Sequence, residues 1–264
     1  MPTSHELTKL DLPESIELHR EIVRSKRFLL DFYRANYEFY CNELKSLPLG
    51  SVLEIGSGGG FANDYIPGLI TSDIRFADTL SVVCSGVELP FKDSSLRGVL
   101  MTNVFHHIQR PAAFLASIER VLLPGGKLIM VEPANSLWSQ FIYSKFHHEP
   151  FEPKAVSWDL PLGGPMTMAN GALPWIVFER DREEFERLFP GLKIERIEYF
   201  GPILYLLSGG LSQPQLLPGA ALDLIKLLER ILSPLARRLG LFSRIVLRKM
   251  VAPKYERSLS SLIR

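Results

Sequence analysis

Apolar residues recur near helical period across residues 14–46, at Ile16, Ile22, Val23, Leu29, Leu30, Tyr33, Tyr37 and Tyr40. That spacing predicts two helices or one bent helix. Leu47-Pro48-Leu49-Gly50 breaks the pattern. Beyond it the apolar positions cluster in short runs of strand length: Ser51–Ile55, Leu69–Ser72, Ser81–Cys84, Val99–Thr102 and Lys127–Glu132. The last, KLIMVE, is apolar enough to be buried on both faces. A short helix is predicted over Phe61–Ile66 before Pro67, and a longer one over Pro111–Leu122. Pro111 stands in the first turn of the longer helix, where its missing N–H costs little, and Pro124-Gly125-Gly126 ends it. Strands alternating with helices predict an α/β chain with a Rossmann-like, doubly wound, mostly parallel sheet. The ligand site then lies at the carboxyl ends of the strands.

The rhythm stops at residue 134. Residues 134–178 are rich in proline and glycine and hold Trp138, Trp158 and Trp175. The aromatics argue for an ordered cap over the site. A helix over Asp181–Leu188 and a strand over Leu192–Tyr199 resume the pattern. A Leu-rich helical stretch over 216–239 is broken at Pro234, and Arg244–Met250 reads as a closing strand. The expected organisation is a helical cap over 1–47 and a main domain over 48–264. Within the main domain, 134–178 is a substrate-cap insertion and 203–240 a Leu-rich helical insertion or appendage.

The densest chemistry sits at the end of the first strand, in VLEIGSGGG over residues 52–60. An acid, Glu54, precedes glycines at 56, 58 and 60. Such a turn lets the backbone approach a ligand closely, because glycine tolerates positive φ and has no Cβ. A helix starting behind it would add free N–H donors. A dinucleotide fingerprint requires a third glycine where this chain has Phe61, which argues against a nicotinamide-dependent oxidoreductase.

Four segments together are specific: LEIGSGGG, SDI at 72–74, VELPF at 87–91, and NVFHHIQRPAAFLASIERVLLPGGKLIMVEP from 103 to 133. They resemble the class I S-adenosylmethionine-dependent methyltransferases of the type 11-like subfamily. The resemblance implies S-adenosylmethionine as cofactor and assigns its contacts to Glu54, Gly56, Ser57, Gly58, Gly60, Asp73, Ile74, Ser85, Gly86, Val87 and Asn103. Within that set, Glu54 favours the cationic end of the cofactor and Asp73 accepts the ribose hydroxyls. Two positions depart from the family. Ser85 stands where an acid usually reaches the adenine amino group, and Arg97 stands where Asp often precedes the fourth strand. These departures motivate an alternative, a catalytically silent cofactor-binding regulatory protein. His106 and His107 follow Asn103 and are the candidate catalytic residues, because imidazole can take a proton from a hydroxyl or amine near neutral pH.

The acceptor is expected to be a small molecule or a lipid- or glycan-type compound. His147, His148 and Trp158 in the cap are the candidate substrate residues. No metal is expected, since neighbouring histidines such as His147 and His148 do not point at one ion from a regular element. With a formal net charge of +1 and no N-P-P-Y-type tetrad after the fourth strand, nucleic acid is not the expected acceptor. Cys41 and Cys84 stand apart from any metal-like spacing and read as free thiols. The first residues carry no apolar stretch of signal-peptide type, so a cytoplasmic protein is expected. The basic C-terminal segment beside Leu222, Ile225, Leu228, Ile231 and Leu232 offers a peripheral membrane contact. The packed-helix reading, with its charges in water, stands beside it.

Overall fold

The computed structural model describes residues 15–251 apart from 148 and 165–166. The N-terminal periodicity resolves into two helices, α1 (Ser15–Ser25) and α2 (Arg27–Leu44). The break falls at Lys26, whose backbone is extended. Its ammonium group donates to the carbonyls of Gly210 and Gln213.

The seven strands are β1 (Ser51–Ile55), β2 (Ile70–Asp73), β3 (Val82–Val83), β4 (Leu96–Thr102), β5 (Leu122–Pro133), β6 (Leu192–Phe200) and β7 (Phe242–Lys249). They form one sheet in the order β3-β2-β1-β4-β5-β7-β6. Neighbours pair in parallel except at β7, which is antiparallel to both β5 and β6. The order reverses between β1 and β4. In open α/β sheets the ligand crevice opens at such a switch point, outside the carboxyl ends of the two strands.

Alternation along the buried strands divides the core. Leu100, Ile129, Val131 and Val246 face the layer built from α2, α6 (Leu204–Ser208) and α7 (Leu222–Leu232). Val99, Met101, Leu128, Met130 and Ile245 face the layer built from α3 (Pro111–Val121) and α5 (Arg182–Leu188). The central strands are thus apolar on both faces, as KLIMVE required.

Several expected elements shift. No α-helix follows the glycine turn; only a 3-10 turn over Ala62–Asp64 forms. The donors that a helix would have left free are already used. Gly60 N–H donates to Ser57 O, and Phe61 N–H to the Tyr37 hydroxyl at 3.0 Å. β5 begins five residues before the expected start at Lys127, because Pro124-Gly125-Gly126 runs as an irregularity inside the strand, with Gly125 at φ +83°. The cap is less irregular than expected. It opens with α4 (Leu137–Phe146), where Ser136 and Ser139 form a reciprocal capping box. It closes on a helical turn over Leu173–Trp175 that continues as a π-helix over Ile176–Arg180.

Leu222 and Ile225 of α7 are buried in the core, while Leu224, Leu227 and Ile231 are exposed. Two of the five expected apolar positions are therefore buried, Leu228 and Ile231 are exposed, and an apolar stripe faces outward. Lys254, Arg257 and Arg264 of the basic segment lie outside the described residues. No helix among the described residues is long and apolar enough to cross a membrane.

Candidate active site

The glycine loop runs between β1 and β2 at the switch point. Gly56 has φ +68° and lies against Val104, so any side chain there meets both backbone strain and the Val104 methyls. Gly59 meets α1 directly: an added Cβ would stand 2.5 Å from Arg20 N and 2.8 Å from His19 C. The N-terminal helix therefore rests on the loop, and glycine is what permits that approach.

Glu54 lies beneath the loop and is 3% exposed. Burial pushes its carboxyl up to about 7, opposed by the Ser57 hydroxyl and reinforced by Asp73. Among the described residues, no lysine, arginine or histidine is among the groups acting on it. A buried carboxyl without a cation is costly to ionise, and a cationic ligand at the site would remove that cost.

Asp73 ends β2 and is already engaged. Its Oδ2 accepts from Gly58 N–H at 3.1 Å and from the Arg75 guanidinium at 3.1 Å. Its Oδ1 accepts from Arg75 N–H and Nε at 3.0 and 3.1 Å. Arg75 in turn donates to the Ser15 hydroxyl of α1 at 2.9 Å. The acid expected at the ribose is thus clamped by a guanidinium that also ties down the helix over the loop.

Ile74, Phe76 and Val83 are large apolar side chains left exposed beside Asp73, at 54%, 61% and 45%. The turn after β3 carries Ser85, Gly86 and Val87. Cys84 N–H is tied to Asp73 O, Ser85 Oγ accepts from Val87 N–H at 3.4 Å, and Gly86 sits against the Phe114 ring. Asn103, at the end of β4, has φ +55°, and its Oδ1 is buried without a hydrogen-bond partner. Arg97 lies at the opposite end of β4, where it donates to Leu44 O at the C-terminus of α2. A cation is favourable there, which accounts for the departure at this position by helix capping, away from the cofactor crevice.

The most connected group of ionisable side chains lies just past β4. The 3-10 turn Phe105–His107 places the rings of His106 and His107 side by side, with centroids 4.2 Å apart. Glu132, at the end of β5 and fully buried, accepts from Val104 N–H at 2.9 Å and Phe105 N–H at 2.7 Å through one oxygen. Its other oxygen lies 2.7 Å from His106 Nδ1. Glu149, from the cap, lies 3.3 Å from His106 Nε2 and 3.6 Å from His107 Nε2. His107 Nδ1 is 3.1 Å from Met168 O.

The two imidazoles titrate in opposite directions. Burial opposes charge on His106, but hydrogen bonds and charge from Glu132 and Glu149 prevail and push it up to about 10. His107 is pushed down to about 4, by burial first and then by the neighbouring His106 cation. Burial works against the Glu149 carboxylate too, yet His106 holds it well below the usual range.

Of the expected substrate residues, His147 packs edge-on to Tyr143 and places Nδ1 3.8 Å from Glu149. Trp158 Nε1–H donates to Asp181 Oδ2 at 2.9 Å, which pins the cap to the start of α5. His148 lies outside the described residues. Sequence reasoning missed Arg75 and Glu132 as parts of the site. Glu132 did carry a signal, as the one carboxylate of β5, at the end of the apolar run Leu128–Val131.

Residues 53–130 match the family model of a methyltransferase domain. Those residues form a methyltransferase domain of the class I, S-adenosylmethionine-dependent kind and the type 11 subfamily. S-adenosylmethionine is the cofactor of that family. No curated protein matches this methyltransferase. Among solved structures, that of a SAM-dependent methyltransferase from Archaeoglobus fulgidus superposes with TM-score 0.50 at 19% identity. The match covers 83% of this chain and 94% of that one and bears on the fold. The geranyl diphosphate C-methyltransferase of Streptomyces coelicolor, solved with Mg2+, geranyl diphosphate and S-adenosyl-L-homocysteine, superposes at TM-score 0.46 and 15% identity. That match covers 84% of this chain and 82% of that one.

The residues present fit the cofactor on two observations. Among the described residues, Glu54 is a buried carboxyl that lacks a cation, and Asn103 Oδ1 is a buried acceptor that lacks a donor. A sulfonium nucleoside with an ammonium group supplies both. Asp73 fits only once Arg75 yields one of its oxygens.

Proposed function

We propose that this methyltransferase transfers a methyl group to a small-molecule acceptor, of soluble or lipid- or glycan-type chemistry. The observation that supports it best is the pairing of a cation-seeking carboxyl, Glu54, under a glycine bend with a histidine-lined edge of β4 across the switch point. When bound, the cofactor supplies a methyl group on a cationic sulfur, and the C–S electron pair stays with sulfur as the new bond to the acceptor forms.

The chain's own residues hold and orient. Glu54 takes the cationic end and Asn103 Oδ1 accepts a hydrogen bond from it. Asp73 takes the ribose hydroxyls in exchange for part of its Arg75 contact. Ile74, with Ser85, Gly86 and Val87, flanks the base. Such alignment is worth about 7–11 kcal/mol in favourable cases, so no covalent participation by the protein is needed. His106 and His107 face the acceptor. His106 is not a free base, because two carboxylates keep it protonated. The exposed stripe of Leu224, Leu227 and Ile231 beside Arg230 and Arg237 favours an acceptor presented at a membrane surface as the second reading.

One experiment tests both. The purified chain is incubated with methyl-labelled S-adenosylmethionine and a pool of small-molecule and lipid extracts, and products are partitioned between water and organic solvent. Label leaving the cofactor into a water-soluble product supports the first reading, and label in the organic phase supports the second. Full retention of label on the cofactor, with protein that binds it, supports the silent regulatory alternative instead.

A further inference from the structure

His106, His107 and Glu149 bring one donor atom each into a group whose members all lie within 4.8 Å of one another. The arrangement behind them is what gives this group its meaning. His106 presents Nδ1 to the Glu132 carboxylate at 2.7 Å, and His107 presents Nδ1 to the Met168 carbonyl at 3.1 Å. A carbonyl can only accept, so Nδ1 of His107 carries the proton and Nε2 keeps its lone pair. With Nδ1–H of His106 donated to Glu132, both rings aim Nε2 at Glu149, and the proton that His106 Nε2 holds towards Glu149 is released when an ion binds. An imidazole whose second nitrogen is held by a carboxylate or a backbone carbonyl is the usual build of a metal-ligating histidine.

The spacing agrees. Zinc–nitrogen and zinc–oxygen bonds of about 2.0–2.1 Å in a tetrahedron separate ligand atoms by about 3.3–3.4 Å. Glu149 Oε2 lies 3.3 Å from His106 Nε2, and its Oε1 lies 3.6 Å from His107 Nε2. One donor atom from each residue lies within 4.8 Å of the other two, so a contraction of at most about 1.4 Å brings them to that spacing. Sequence reasoning expected no metal because neighbouring histidines diverge from a regular helix or strand. The 3-10 turn over Phe105–His107 removes that objection by setting the two rings 4.2 Å apart.

We propose that His106 Nε2, His107 Nε2 and a Glu149 carboxylate oxygen form a binding site for one divalent cation of the zinc class, with a fourth position open. Two imidazoles and one carboxylate suit zinc or cobalt(II) better than magnesium or calcium, which take oxygen ligands. Three protein ligands with an open position is the pattern of a reactive site, whereas closed structural sites use four. The ion would also join the cap, through Glu149, to the carboxyl edge of β4. If the proposed methyl transfer holds, the open position receives an oxygen of the acceptor, and the histidines then act through the ion instead of as bases. That last step rests on the functional reading; the metal site does not.

The test uses the full chain, stripped with chelator, desalted, and titrated by calorimetry with zinc chloride and separately with cobalt chloride. S-adenosylhomocysteine binding and circular dichroism serve as independent measures of fold. The expected result is one equivalent of zinc bound, a visible ligand-field spectrum with cobalt, and a melting temperature raised by zinc. Outer-shell substitutions at metal sites cost about 10–100-fold in affinity, so Glu149→Gln and His107→Gln should each cost about 100-fold or more. Folded wild-type protein that binds neither ion overturns the proposal. So does a folded Glu149→Gln and a folded His107→Gln that both bind zinc as wild type does. Loss of S-adenosylhomocysteine binding with zinc binding retained would strike the functional reading and leave the metal site standing.

Discussion

Glu54→Gln should melt higher than wild type above pH 7 and bind S-adenosylmethionine about 10–100-fold more weakly, the range expected for losing a hydrogen bond to a charged group. The two effects have opposite signs and one cause. In the unfolded chain the Glu54 carboxyl titrates at its ordinary 4.5, and in the fold it is pushed up to about 7. Between those values the folded state holds a proton that the unfolded state has released, so stability falls as pH rises from 4.5 towards 7 and then levels off. The cost above pH 7 is about 3 kcal/mol, since each pH unit separating the two titrations is worth roughly 1.4 kcal/mol. Glutamine removes it. Groups facing the carboxyl are Asp73 on β2, the Ser57 hydroxyl in the loop, and Tyr33, Tyr37 and Tyr40 on α2. None is a cation that would reverse the sign. Thermal melts at pH 5 and pH 8, with calorimetry at pH 8, check it: the two proteins should differ by less than about 1 kcal/mol at pH 5 and by about 3 kcal/mol at pH 8. A glutamine variant less stable at pH 8, or one that binds the cofactor normally, would show that Glu54 is not held for a cation.

Glu132→Ala is expected to destabilise the fold by about 3–5 kcal/mol, the range for breaking a buried charged pair by removing one partner. Glu132 is fully buried and satisfies three donors: Val104 N–H, Phe105 N–H and His106 Nδ1. Each donor left unsatisfied costs about 1–3 kcal/mol. Glu132→Gln keeps an acceptor for the two backbone N–H groups and should lose clearly less. The readout is the urea midpoint at unchanged slope. A loss under about 1 kcal/mol for the alanine variant would mean that the turn after β4 finds other acceptors.

The centre of the sheet was legible because its strands there are buried on both faces, and no other element of this length reads as KLIMVE does. The two N-terminal helices were legible from periodicity as two helices or one bent helix, and the structure puts the break at Lys26. The glycine loop was legible as a place of close approach, but what approaches it was not. Gly59 gives way to α1, and Phe61, expected to open a helix, spends its N–H on Tyr37 instead. Both partners come from the chain's first 40 residues, and no local pattern links them to the loop. α4 escaped notice because its capping box is Ser-x-x-Ser, where the usual signal is an acid or amide three residues after the cap. The histidine cluster was half legible. His106 and His107 stood out, but Glu132 and Glu149 reach them across 26 and 43 residues of sequence, through strand order and cap folding.

All of these roles depend on a sulfonium nucleoside settling between β1 and β4, and calorimetric titration of the purified full chain with S-adenosylhomocysteine asks that question without needing an acceptor. One-site, saturable binding in the micromolar range is the predicted result. A folded protein that gives no saturable heat with S-adenosylhomocysteine or with S-adenosylmethionine would contradict it.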